Sequence, residues 1–134
     1  MGGVNAETGP RIMRTRPDTI RQLPLPGGRT VAVDEAGYLT DPGDWSRDFA
    51  LKAAADEGIA LTDAHWDLFA LMRRWYDEHR VAMDARLAMK YLGEKDGTGK
   101  AGGRRKLFEM FPYGYVRQAC KIAGMKQPRA WSTG

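Results

Sequence analysis

Between Asp63 and His79 large apolar side chains recur at spacings of three and four, at Leu68, Phe69, Met72, Trp75 and Tyr76. That period places them on one face of an α-helix, and other elements must cover the face. Thr62 stands where an N-cap is expected. The chain has 134 residues, which suits one domain, because domains cluster near ~100–150 residues. Four Trp, five Tyr and four Phe within a 43% apolar composition supply the core.

Further helices are legible around this one. Asp41-Pro-Gly-Asp44 has the acids and the proline of a helix start, predicting a helix from about Asp44 to Glu57 that Gly58 ends. Trp45, Phe49 and Ala53 share its inner face. Asp84 caps a short helix through Leu92, and Gly93 to Gly103 reads as a glycine- and charge-rich loop. Arg104 to Phe111 forms the next helix, with Leu107, Phe108 and Phe111 on one side, and stops at Pro112. The last runs from about Tyr115 to Ala123 and ends at Gly124. Ahead of the helices, Arg29–Val33 and Gly37–Thr40 flank the turn Asp34-Glu-Ala-Gly37 as a β-hairpin, which must pack on helices to persist. Residues 1–28 show no periodicity and read as a disordered arm. Residues 29–124 form the helical domain, and 125–134 a C-terminal arm.

Composition excludes several classes. No apolar run approaches the ~20 residues of a membrane-spanning helix, and the N-terminus lacks the apolar stretch of a secretory signal. One cysteine rules out an intrachain disulfide, and a reducing cytoplasm is the expected compartment. From Gly93 onward nine Lys or Arg stand against three acids, although the whole chain carries only +4. A basic C-terminal third fits anionic partners: an acidic protein surface, nucleic acid or a sulfur oxyanion.

Most candidate motifs fail on their own requirements. Gly97-Thr-Gly-Lys100 lacks the first glycine and the Ser or Thr after the lysine that a P-loop needs. His65 and His79 sit at opposite ends of one helix and have no metal-ligand spacing, so both read as cap or surface residues. No metal and no cofactor is expected. Arg104-Arg-Lys106 invites a helix-turn-helix reading, but a connection of eleven residues is too long for the tight turn of that motif.

Cys120 stands apart. Val116, Ala119, Cys120 and Ala123 have the spacing of a buried helical stripe, and free cysteine is among the most buried residue types. Against this, Arg117 and Lys121 flank it, and positive charge favours the thiolate that does the chemistry. The local residues leave both readings open.

Two C-terminal strings bear on that choice: Leu107-Phe-Glu-Met-Phe-Pro-Tyr-Gly114, and Arg117-Gln-Ala-Cys-Lys-Ile-Ala-Gly124 followed by Pro128. Upstream stand Gly37-Tyr-Leu39, Trp45, Glu57-Gly-Ile-Ala-Leu61 and His65-Trp66. Over about residues 29–131 the chain resembles the DsrC/TusE family of sulfur-relay proteins. The resemblance implies an orthogonal helical bundle with an N-terminal hairpin and a mobile C-terminal arm. Full-function members carry two cysteines on that arm. Cys120 matches the first, but Trp131 occupies the position of the second, the sulfur-accepting one. Closure of an internal disulfide or trisulfide needs two thiols on one chain, so that step is lost here, as is a simple relay through the distal cysteine alone. Tyr115 in place of a proline, and Met125-Lys-Gln in place of Leu-Pro-Lys, are smaller departures.

Three functions follow as expectations. The first is a sulfur carrier holding a persulfide or mixed disulfide on Cys120, with Arg104, Lys106, Arg117 and Lys121 as partner- or anion-binding surroundings and Trp131 anchoring the arm. The second is a non-catalytic, regulatory member that docks on a sulfite reductase, a heterodisulfide-reductase-like complex or a sulfurtransferase. The third, and least favoured, is a DNA-binding regulator. A monomeric carrier or interaction protein is expected rather than a self-contained enzyme.

Overall fold

The computed structural model describes residues 19–128. Its chain order is a β-hairpin, four α-helices and a closing π-helical turn, the mainly helical fold with a leading hairpin that the sequence predicts.

The hairpin lies further toward the N-terminus than expected. Strand β1 (Ile20–Pro24) pairs antiparallel with β2 (Thr30–Asp34), with Leu23 opposite Val31 and Arg21 opposite Val33. Residues 20–28 are therefore part of the folded body and not of an N-terminal arm, while residues 1–18 lie outside the described part. Ile20-Arg-Gln-Leu-Pro has no apolar alternation, which is why propensity misses it; β1 is held by its ladder to β2, whose Val31 and Val33 are buried. The expected turn at Asp34–Gly37 does form. Asp34 Oδ1 accepts from the backbone N–H of Ala36 at 2.9 Å and of Tyr38 at 3.0 Å, and Gly37 takes φ +95°. The run after it pairs with β2 through an isolated bridge, Val33 to Leu39, and does not form a strand.

Helix α1 (Arg47–Asp56) follows a 3-10 turn at Pro42–Asp44, and Ser46 caps it by accepting from Phe49 N–H at 3.1 Å. Helix α2 (Asp63–His79) has the predicted limits and buries Leu68, Phe69 and Met72. At its start Thr62 N–H donates to His65 Nδ1 at 3.0 Å. The other ring nitrogen, Nε2, lies 3.0 Å from Met110 O and so carries the proton it donates there. His65 is thus a buried cap that ties α2 to the end of the fourth helix, and exposed His79 stacks on Trp75 at 3.9 Å.

Helices α3 (Ala85–Asp96) and α4 (Gly99–Met110) replace the expected long loop. Only Gly97 and Thr98 connect them. Their glycines do not break the helices but let them touch: a Cβ on Gly93 would strike Gly99 O, and one on Gly103 would strike Met89 O. The short connection removes loop length as the argument against a helix-turn-helix. The pair packs backbone to backbone at its glycines, as a close helical hairpin.

The final segment is a π-helical turn, Tyr115–Cys120, that continues helically to Ile122. Pro112 separates it from α4. Phe49, Phe69, Leu107, Phe111, Tyr115 and Ile122 meet in the core between these elements, with the Phe69 and Phe111 rings 6.0 Å apart. Among the described residues no helix is long and apolar enough to cross a membrane.

Candidate functional site

The closing turn is fastened from three sides. Tyr38, just after the β turn, donates through its hydroxyl to Val116 O at 3.0 Å. Trp45 donates through Nε1 to Ile122 O at 2.9 Å. Arg73, on α2, donates to Ala123 O at 2.8 Å and to Pro42 O at 2.7 Å, and its guanidinium lies over the Trp45 ring at 4.7 Å. Gly124 sits against this pair with φ +85°, and a Cβ there would run into Trp45 and Arg73. The residue must be glycine both for its backbone angle and for the space.

Glu57, at the C-terminal end of α1, adds a fourth hold as an acceptor. Gln118 Nε2 donates to its Oε1 at 2.9 Å, and Lys121 Nζ donates to its Oε2 at 2.8 Å. Burial pushes the carboxyl up, but the hydrogen bonds from Lys121 and Gln118 outweigh it and hold Glu57 below the ordinary glutamate range. Gln118 is 1% exposed, and its Oε1 accepts from Tyr113 N–H at 2.8 Å. Lys121 also lies over the Tyr38 ring, 5.4 Å from its centre.

Cys120 sits inside this frame, 1% exposed. Burial pushes its thiol up to about 12, and a hydrogen bond with the Tyr115 side chain pulls only weakly the other way. The Tyr115 hydroxyl itself donates to Met83 O at 2.6 Å. The thiolate-favouring surround expected from Arg117 and Lys121 is not what the packing provides. Lys121 is engaged by Glu57, while exposed Arg117 lies over the Tyr113 ring at 5.6 Å. The turn buries Tyr115, Gln118, Ala119 and Ile122 together with Cys120 and leaves Arg117 exposed and Lys121 half-buried at its edge.

Of the remaining expected residues, Arg104 is exposed on α4 with its guanidinium 5.3 Å from the Phe108 ring centre, and Lys106 is half-buried on the same helix. Neither contributes to the environment of the thiol. Trp131 lies outside the described residues. No three His, Cys, Asp or Glu side chains among the described residues gather as a metal site.

Sequence reasoning missed Glu57, Gln118, Tyr38, Trp45 and Arg73 as parts of one frame. Several of them stand in the strings that carry the family resemblance. Their contacts span 50 to 78 residues, however, and no local pattern announces such a pairing.

Fold and frame together define a small helical bundle whose sole cysteine rides on its last turn. Residues 26–130 match the family described as DsrC like protein. The sulfurtransferase TusE of Pectobacterium atrosepticum is 42% identical over 101 residues, which cover 75% of this chain and 92% of that protein. The NMR structure of Allochromatium vinosum DsrC superposes with a TM-score of 0.70 at 34% identity, covering 84% of this chain and 98% of that one. The oxidized gamma-subunit of the dissimilatory sulfite reductase (DsrC) from Archaeoglobus fulgidus gives 0.72 at 26% identity, over 82% and 98%. The chain belongs to the DsrC/TusE family, and its work lies in the sulfur trafficking of sulfur metabolism.

Proposed function

We propose that this protein serves sulfur trafficking by docking on sulfur-metabolism proteins, with its own thiol withheld from chemistry in the resting state. The observation that carries this reading is the enclosure of Cys120 at 1% exposure. With the thiol pushed up to about 12, on the order of one molecule in 10⁵ is thiolate at pH 7, too few for a resting nucleophile. The docking partner is a sulfite reductase, a heterodisulfide-reductase-like complex or a sulfurtransferase. Arg104, Lys106 and Arg117 supply the cationic contacts, and the protein acts as a cytoplasmic monomer. DNA is the weaker partner, because Glu94, Asp96 and Glu109 interrupt the cations of the α3–α4 hairpin.

Calorimetric titration against a purified sulfite reductase and a purified heterodisulfide-reductase-like complex tests this. Binding equal for wild type and Cys120→Ser, and weakened by Arg104→Glu with Arg117→Glu, is expected. Binding that vanishes in Cys120→Ser overturns the reading.

A second reading keeps Cys120 as a sulfur carrier that works only when the closing turn opens. It is favoured by the π-helical geometry of Tyr115–Cys120, since π turns are rare and recur at functional sites. Incubation with polysulfide should then add one sulfur atom to the chain, and Cys120→Ser should abolish the gain in mass.

A further inference from the structure

Glu57 has no part in the hydrophobic core, yet it is held in place by two residues that bracket the thiol. Gln118 lies two positions before Cys120 and Lys121 one after, and both donate to the same carboxylate, at 2.9 and 2.8 Å. The Lys121 and Glu57 side chains are 16% and 18% exposed, so the pair is largely out of water. Gln118 is more deeply placed and is fixed at both ends of its amide, by Glu57 and by Tyr113 N–H.

A cation and an amide removed from water are tolerated only while a partner satisfies them. Glu57 satisfies both. Without its carboxylate oxygens Lys121 loses its counter-ion, and the Gln118 amide keeps an unmade hydrogen bond in a dry place. Lys121 can relieve itself by swinging outward. Gln118 cannot, because its own turn encloses it; relief there means lifting the turn. Downstream, Trp45 and Arg73 grip the carbonyls of Ile122 and Ala123, so the lifting has a fixed point next to Gly124.

We propose that Glu57 is the latch of the Cys120 turn: its carboxylate keeps the turn closed, and losing the contact to Gln118 and Lys121 brings the thiol to solvent. This rests on the second functional reading, for which it supplies the control. A docking protein that offers Glu57 a cation of its own draws the carboxylate from both partners and competes directly for the latch.

Alkylation of Cys120 by iodoacetamide in the full native chain, followed by mass spectrometry across a series of urea concentrations below the unfolding transition, tests the proposal. Glu57→Met, which removes both acceptor oxygens at similar length, should label about tenfold or more faster than wild type, the scale of a lost charged hydrogen bond. Its rate should stay flat in urea, because a local opening exposes little surface. Lys121→Met removes the counter-ion but leaves the Gln118–Glu57 bond, so it should accelerate labelling less than Glu57→Met. Asp67→Asn, which disturbs the part-buried Tyr91–Asp67–Lys95 contacts elsewhere, should leave the rate within about twofold of wild type, as a change remote from the turn does. A wild-type labelling rate in Glu57→Met, or acceleration that rises with urea as steeply as global unfolding, overturns the proposal. Polysulfide loading of the Glu57→Met chain separates the two ideas. An exposed thiol that takes up no sulfur removes the carrier reading and leaves the latch standing.

Discussion

Tyr38 and Val116, 78 positions apart in the chain, are joined by a single hydrogen bond of 3.0 Å from phenol to backbone carbonyl. It ties the β-hairpin region to the closing turn. Tyr38→Phe keeps the ring under Lys121 and removes only the donor, leaving Val116 O without this partner. The expected loss is about 1 kcal/mol, read as a lower urea midpoint with an unchanged slope.

The α3–α4 seam should be the least tolerant part of the molecule. Gly103→Ala places a methyl group against Met89 O, so the helices must separate. A loss of about 2 kcal/mol or more is expected. Ala101→Ser, on the exposed side of α4, should stay within about 0.5 kcal/mol of wild type. Thermal melts of the pair decide it.

Arg73 serves two carbonyls and one indole ring at once. Arg73→Met leaves Ala123 O and Pro42 O without that donor and should cost about 2–3 kcal/mol. Hydrogen exchange should show the loss concentrated at the amides of residues 121–125.

The buried thiol makes alkaline stability predictable. In the unfolded chain Cys120 ionises near its ordinary value of 9.0, whereas the folded protein holds its proton up to about 12. Below pH 9 both states keep the proton and the group has no effect. From pH 9 to about 12 the unfolded state binds fewer protons, so stability falls, by at most about 1.4 kcal/mol per pH unit for this group. Tyr38 and Tyr115, also raised by burial, act in the same direction at higher pH. Cys120→Ala should therefore show a shallower decline above pH 9 in calorimetric scans. Parallel curves for the two proteins exclude the assignment.

The contrast between what the sequence reveals and what it hides has physical causes. Helix α2 is readable to the residue because Leu68, Phe69 and Met72 follow one period and Thr62 caps it. Strand β1 is not, since its order comes from pairing with β2 rather than from its own pattern. The glycines of 93–103 mislead because the same residue loosens a loop and permits close contact between helices, and only the neighbouring helix decides which. At the site the stripe through Val116, Ala119 and Ala123 foretells a buried Cys120. The flanking charges foretell a reactive one, and geometry sides with the stripe. Glu57 stays hidden because its partners are more than 60 positions away.

The narrowness of the α3–α4 hairpin has an evolutionary corollary. Where two main chains touch, even a methyl group is too large, so the inner seam offers almost no room for drift. Lys100, Arg104 and Arg105 stand on its exposed side, and changes there cost the packing nothing. In this hairpin a lineage can rewrite its charge but not its thickness, and a new binding partner would be acquired by repainting that outer wall.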